Sequence, residues 1–418
     1  MHYLQCTFIK CIAITFCLIL FTKHLSATIN HIDDLDLTLT DTISSDKKFI
    51  HRIEAEFQTG FTLKNVPFMR GENFANKKIN NAFSGHLKYA LQFNPESNIN
   101  KIYKGSYQGV GLGHYNFGNK AELGNPTAIY LFQGAQIVRF NHSISLNYEW
   151  NFGISTGWRP YHYSTNHLNH LIGSKINAYL NAKLYFNWTL SKKIDLLTGL
   201  GVTHFSNGNT EYPNAGMNML DAKLGLTYNL NRYATTIQTT SNNTTPLFNR
   251  HVSYDITLFG SWRRKGVNYL DQAIASPDHY MVLGGSFNPM YNVGYKIRLG
   301  AALDLVHDGS ANVYAKDYII GTEQEFIKPP ISQQLAAGLS VRLEYAMPYF
   351  NLGLGHGYNI LYGKGDLNSS YQIVNLKTAI SRNAFINIGY SLKDFKEPNF
   401  LMLGFGYRFN NKYPSIFH

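Results

Sequence analysis

Three polar residues near the ends of two neighbouring predicted strands have side chains suited to nucleophilic catalysis: His204, Ser206 and Asn218. A serine hydroxyl is a weak nucleophile until a nearby base takes its proton, and the base needs a third group to fix its tautomer. Ser206 can be the nucleophile, His204 the base and Asn218 the orienting group. A His-x-Ser pair taken alone is more often a structural feature of a strand end. Whether this pair is catalytic therefore depends on the strands and loops around it.

The alternation of side chains places these three residues on one face. From Ile194 to Ser206, every second residue forms a row that is apolar until it ends in His204 and Ser206. The next strand has a leucine-rich row that begins with Asn218. A hairpin centred near Glu211 sets His204 opposite or nearly opposite Asn218. We therefore expect the three polar groups to meet on the outer, lipid-side surface of the sheet.

An ester-cleaving site also needs hydrogen-bond donors for the oxyanion of its tetrahedral intermediate. Asn207 and Gly208 follow the serine directly, and Asn214 lies across the loop. Their side-chain amides or backbone N–H groups are the candidate donors. This chemistry requires no metal and no other cofactor.

Long alternating segments recur along the whole chain with turn residues between them. Many reach the roughly 9–11 residues that a tilted strand needs to cross a bilayer, whereas strands of soluble sandwiches are usually shorter. Aromatic residues make up 14% of the chain, which suits the aromatic girdles of outer-membrane barrels. A soluble barrel would alternate as well, but segment length, aromatic content and a secretion signal favour the membrane. The sequence predicts an all-β antiparallel transmembrane β-barrel of about 14–16 strands in the bacterial outer membrane.

The chain divides by composition into four segments. The first has a basic start, a short apolar run and a small-residue cleavage site, the features of a signal peptide, and it contains all three cysteines. The predicted segments are a signal peptide at 1–27, a polar arm at 28–48, the barrel at 49–409 and a tail at 410–418.

One connection does not fit the expected alternation of short periplasmic turns and long external loops. Residues 232–250, rich in Thr and Asn, should lie on the periplasmic side, yet they form a long connection. Two interpretations are open: a solvated extension, or a boundary between an N-terminal barrel-like half and an added C-terminal set of strands.

The formal charge of +11 predicts anionic partners. Basic residues are spread over strands and turns without a basic helix or a nucleic-acid-binding motif, so nucleic acid is not expected. An anionic membrane surface with phosphorylated lipid fits better. The alternative is that the charge lines a wet barrel lumen.

Two short motifs resemble the lipid A 3-O-deacylase family of outer-membrane acyloxyacyl hydrolase-like proteins. They are residues 204–207 (His-Phe-Ser-Asn) and 213–218 (Pro-Asn-Ala-Gly-Met-Asn), and the spacing between them is similar too. Upstream, residues 118–119 (Gly-Asn) and 124–126 (Gly-Asn-Pro) also look like the family. The resemblance covers roughly residues 105–230 and leaves the function of the C-terminal strands open.

The resemblance implies a barrel that hydrolyses an ester-linked acyl chain, with lipid A or lipopolysaccharide as the substrate. It implies Ser206 as nucleophile, His204 as base and the position of Asn218 as that of an orienting glutamate. Here an amide stands in place of the acid. An amide oxygen can hold the imidazole but cannot stabilise imidazolium by charge, and Glu211 is a candidate to supply that charge. The competing hypothesis is a non-enzymatic pore or structural barrel with a degenerate deacylase motif.

Overall fold

The computed structural model describes residues 49–64, 66–94, 97–232, 245–269, 272–316, 325–363, 365–395 and 397–413. The expected signal peptide, the polar arm and residues 414–418 of the expected tail lie outside the described residues. No helix among the described residues is long and apolar enough to cross a membrane.

Eight antiparallel strands form a first closed barrel, in which each strand pairs with its neighbour in sequence and β1 pairs with β8. Two short helices, α1 (Pro67–Arg70) and α2 (Asn98–Tyr103), lie in its connections. The strands are β1 (Phe49–Thr62), β2 (Asn81–Phe93), β3 (Tyr107–Asn116), β4 (Gly124–Arg139), β5 (Ile144–Trp158), β6 (Ile176–Thr189), β7 (Ile194–Ser206) and β8 (Met217–Asn229).

Eight further strands form a second closed barrel in the order β9, β12, β13, β16, β17, β18, β19, β20, which β20 closes against β9. Two small hairpins, β10–β11 and β14–β15, and two 3-10 turns at Ile331–Gln333 and Gly365–Leu367 lie in its connections. The strands are β9 (His251–Arg263), β10 (Gly266–Tyr269), β11 (Gln272–Ala275), β12 (Tyr280–Asn292), β13 (Ile297–Asp308), β14 (Tyr314–Ala315), β15 (Phe326–Ile327), β16 (Leu335–Ala346), β17 (Phe350–Tyr362), β18 (Ser370–Ala379), β19 (Ala384–Lys393) and β20 (Glu397–Phe409).

The predicted all-β antiparallel barrel fold is confirmed, but the expectation of a single barrel over residues 49–409 is wrong. The sixteen barrel strands are shared equally between two closed barrels. Alternation assigns the two faces of each strand, and it carries no information on which distant strand closes a barrel. The long 232–250 connection lies where the chain leaves β8 and enters β9, as the boundary interpretation expects, and residues 233–244 of it lie outside the described part.

The two faces of the first barrel differ in polarity. Along β1, the exposed outward side chains include Ile53, Phe57 and Phe61, while Glu54 and Glu56 are buried inside. This is the arrangement of a membrane barrel, with an apolar exterior and a polar interior.

Compensating charges fill the interior of the first barrel. The closest pairs include Lys88 with Glu149 at 2.7 Å and Lys223 with Glu56 at 2.8 Å. The lysine side chains are completely shielded from solvent. The six residues of this lumen cluster are Glu54, Glu56, Lys88, Glu149, Lys183 and Lys223. Three cations face three anions, so the first lumen is not the wet, positively charged channel of the alternative interpretation.

The predicted tight turns are confirmed at one end of the first barrel. Strands β4 and β5 are joined by residues 140–143, and β6 and β7 by residues 190–193. Longer connections at the opposite end include residues 159–175 and 207–216, and this is the end at which His204 lies.

Candidate active site

The hairpin of β7 and β8 sets His204 directly opposite Asn218 in register. Both residues share the outward face with Leu200 and Leu220, whose side chains are 70% and 50% exposed. Ser206, two residues beyond His204, lies on the same face. The predicted convergence of the three polar groups on the outer wall of the barrel is what the geometry shows.

Two hydrogen bonds link the three side chains. His204 Nδ1 lies 2.6 Å from Asn218 Oδ1, and His204 Nε2 lies 2.9 Å from Ser206 Oγ. An amide oxygen can only accept, so Nδ1 carries the proton and donates it. Nε2 of the neutral ring then accepts from the serine hydroxyl. This is the tautomer that a general base needs.

Gly216, just before β8, permits the close packing of this site. Its φ of +71° lies in the left-handed region, and its N–H donates to the Leu171 carbonyl at 3.0 Å. A Cβ at this position would lie 3.0 Å from His204 Cε1 and 3.1 Å from the Phe205 carbonyl oxygen. A side chain at this position would crowd the imidazole and strain the backbone, so glycine is strongly favoured here.

A buried glutamate connects three loops at this end of the barrel. The Glu122 carboxylate accepts from the Phe74 N–H at 2.7 Å and from Asn119 Nδ2 at 2.9 Å. The Glu122 carbonyl accepts from Asn169 Nδ2 at 3.1 Å, and Asn169 Oδ1 accepts from the Leu171 N–H at 3.2 Å. Asn119 belongs to the upstream Gly-Asn motif, which thus helps to fix the segment that bonds Gly216. Glu122 and Leu171 were not identified from the sequence, because no motif in the neighbouring sequence distinguishes them from other loop residues.

The structure shows bonds within the loop for two of the three candidate oxyanion residues. The Asn207 N–H donates to Asn214 Oδ1 at 3.1 Å, and Asn207 Nδ2 donates to the Glu211 carbonyl at 2.9 Å. Gly208 has a φ of +65°. Both kinds of donor on Asn207 are thus already bonded, which leaves the Gly208 N–H and Asn214 Nδ2 as the better candidates.

Glu211, the candidate to supply the missing charge, has another partner in the structure. Its carboxylate accepts from His279 Nε2 at 2.7 Å. The carboxylate is thus paired with another histidine, while the side chain bonded to His204 Nδ1 is that of Asn218.

A second His-x-Ser pair occurs in the connection between β5 and β6. Ser164 Oγ lies 3.1 Å from His162 Nδ1, and both residues are exposed. This pair lies in a loop, whereas the His204 pair is held by the register of two strands. The His162–Ser164 pair is therefore a control within the same protein for the effect of holding such a pair between two paired strands.

Comparison with known families gives two matches. Residues 84–227 match the family described as lipid A 3-O-deacylase (PagL), and residues 252–411 match the acyloxyacyl hydrolase C-terminal domain. The chain belongs to the lipid A 3-O-deacylase family. The resemblance seen in the sequence is confirmed, and the second match extends it to the C-terminal strands that the motifs left out. This lipid A 3-O-deacylase family member is an outer-membrane β-barrel protein, and its family is one of hydrolases.

Two solved structures are similar to this deacylase family member only at low sequence identity. Neisserial surface protein A (NspA) has 7% identity and a TM-score of 0.28, over 44% of this chain and 97% of that one. The translocator domain of the autotransporter NalP from Neisseria meningitidis has 9% identity and a TM-score of 0.16, over 96% and 98%. The comparison with curated proteins found no match.

Proposed function

We propose that the chain is a serine esterase that hydrolyses an ester-linked acyl chain of lipid A or lipopolysaccharide, with Ser206, His204 and Asn218 as its catalytic residues. The observation that carries this proposal is the pair of hydrogen bonds through His204, 2.9 Å to Ser206 Oγ and 2.6 Å to Asn218 Oδ1. Nucleophile, base and orienting group are the components of serine hydrolysis.

The reaction proceeds in two halves. Ser206 Oγ attacks the ester carbonyl carbon while His204 Nε2 takes the hydroxyl proton, and the carbonyl oxygen becomes an oxyanion. The intermediate collapses by breaking the bond to the sugar oxygen, which leaves as an alcohol with the proton from His204. Water then attacks the acyl-enzyme with His204 as base, and the fatty acid leaves while Ser206 regains its proton.

The oxyanion is assigned to backbone and amide donors of the β7–β8 connection. The Gly208 N–H and Asn214 Nδ2 are the first choices, and Asn207 would contribute after releasing one of its loop bonds. A donor that binds the oxyanion only in the transition state accelerates the reaction without tightening substrate binding.

The outward position of the site supports a lipid substrate. The exposed Leu200 and Leu220 share its face of the barrel wall. An acyl chain in the membrane can lie along this apolar surface while its ester reaches Ser206 near the end of β7. The pore alternative gains no support from the first barrel, whose interior is filled by the lumen cluster.

The test is fatty-acid release from lipid A by the purified protein in detergent, followed by mass spectrometry. Ser206→Ala should reduce release by about 10³-fold or more, as loss of a nucleophile does in serine hydrolases. Ser164→Ala is the matched control, because it removes a hydroxyl bonded to a histidine at the same spacing, and it should release as much as the wild type. Equal release by wild type and Ser206→Ala, or none from folded wild type, contradicts the proposal.

A further inference from the structure

A cavity of about 110 Å³ lies inside the second barrel, at the end where β9 and β13 finish. A water molecule occupies roughly 30 Å³ in the liquid, so the space holds a few waters or an anion of a few heavy atoms. Its wall includes Arg263, Asp304, Asp308, Tyr371 and Met402. In the first barrel, Phe205 is fully buried and packs against the rings of Tyr115 and Trp158.

One side of the Arg263 guanidinium is already used. Nη1 donates to Asn399 Oδ1 at 2.8 Å and lies 3.3 Å from Asp308 Oδ2. Nε is buried and has no hydrogen-bond partner among the described residues, and the whole residue is only 9% exposed. A buried donor without a partner is costly. Nε is one of the two nitrogens on the side-on edge of the guanidinium. That edge binds carboxylates and phosphates through a pair of parallel hydrogen bonds, so it is suited to an oxyanion.

The carboxylates in the wall have partners of their own. Asp304 accepts from Ser340 Oγ at 2.7 Å, from the Tyr371 hydroxyl at 2.7 Å and from Arg342 at 2.5 Å. Asp308 accepts from the hydroxyl and the N–H of Ser310, at 2.6 and 2.9 Å. Each of these two carboxylates already accepts three hydrogen bonds, which makes both poor sites for a cation.

An ion pair lies at the edge of the cavity. Lys265 bonds to Asp366 in the 3-10 turn and also donates to the Ser310 carbonyl at 3.1 Å. Burial alone would raise the pKa of the Asp366 carboxyl, but Lys265 and the Asn312 N–H hold that pKa below its ordinary value. Asp366 thus remains an anion that neutralises Lys265.

The wall of the cavity carries as many cations as carboxylates. The cations are Arg263, Lys265 and Lys393, and the carboxylates are Asp304, Asp308 and Asp366. Because Arg342, outside the wall, also bonds to Asp304, the carboxylates do not leave the wall with an excess of negative charge that would repel an anion.

We propose that this cavity of the second barrel is a binding site for a small oxyanion, a carboxylate or a phosphate, which the side-on edge of Arg263 holds. Acetate and inorganic phosphate are the probes for the two chemistries. The site is separate from the esterase proposal, since it lies in another barrel and uses none of its residues.

The experiment is calorimetric titration of the full-length protein in detergent with each probe, at constant ionic strength set by sodium chloride. Saturable binding of acetate, of phosphate or of both by the wild type supports the site, and the probe that binds identifies the chemistry. Arg263→Gln should abolish the saturable heat, whereas Arg382→Gln, which removes an exposed arginine in the β18–β19 turn, should leave it unchanged.

A conservative variant keeps the test decisive if Arg263→Gln does not fold. Arg263→Lys retains the charge and can still pair with Asp308, but it lacks the side-on edge, so binding should weaken at least tenfold. No saturable binding by the folded wild type would mean that the cavity holds only water and would overturn the proposal. Equal binding by wild type and Arg263→Lys would overturn the role of the edge.

Discussion

His204 Nδ1 and Asn218 Oδ1 lie 2.6 Å apart, directly across the pairing of β7 and β8. The amide oxygen therefore fixes the ring in the tautomer that leaves Nε2 free to accept from Ser206. In a serine protease, replacing the acid by an amide costs about 10⁴-fold because the wrong tautomer results. Here the tautomer is the productive one, so only the charge of the acid is lost.

Restoring that charge should increase activity moderately. Hydrogen bonds to charged groups are stronger than neutral ones by about 1–2 kcal/mol, and about 1.4 kcal/mol corresponds to tenfold in rate. Asn218→Asp, of nearly the same size, should raise the rate of fatty-acid release about tenfold. Asn218→Leu removes the acceptor and should lower the rate at least a hundredfold. Release by Asn218→Leu at the wild-type rate would contradict the orienting role.

Gly216→Ala should damage the site. The substituted residue would have to keep a left-handed backbone, which costs about 1–2 kcal/mol, and its Cβ would lie 3.0 Å from His204 Cε1. Displacement of the imidazole should reduce fatty-acid release by more than tenfold in protein that still folds. Gly85→Ala is the matched control, because a Cβ there meets nothing within 4 Å, and its activity should equal that of the wild type. Unchanged activity in Gly216→Ala would show that the close approach has no role.

Glu56→Gln should destabilise the first barrel. Glu56 pairs with Lys183 and lies 2.8 Å from Lys223, and all three side chains are fully buried. Removing one partner from a buried ion pair typically costs about 3–5 kcal/mol, because the remaining charges lose their compensation. The free energy of unfolding, measured in detergent with urea, should fall by about that amount. Glu72→Gln, at an exposed loop position, should change it by less than about 0.5 kcal/mol, and a similar small change for Glu56→Gln would contradict the structural role of the lumen cluster.

The sequence was sufficient for the local geometry of the site. A period of two residues along β7 and β8 placed His204, Ser206 and Asn218 on one face, and the short hairpin then determined the register. The division into two barrels could not be predicted, because the closing pairs β1–β8 and β9–β20 join strands that are far apart in sequence. Gly216 gave a weak signal as a glycine in a loop motif. Its contact with Leu171 depends on how a distant loop packs.

Covalent labelling of Ser206 tests the activation of this serine directly, because it does not depend on knowing the natural ester. Folded wild-type protein in detergent is treated with a lipophilic fluorophosphonate, which reacts with activated serines, and the modified peptide is located by mass spectrometry. We expect a single label on Ser206, none on Ser164, and loss of the label in His204→Ala. Labelling of another serine, or no labelling of folded wild type, would contradict the claim that the outer wall of the first barrel is a serine esterase site.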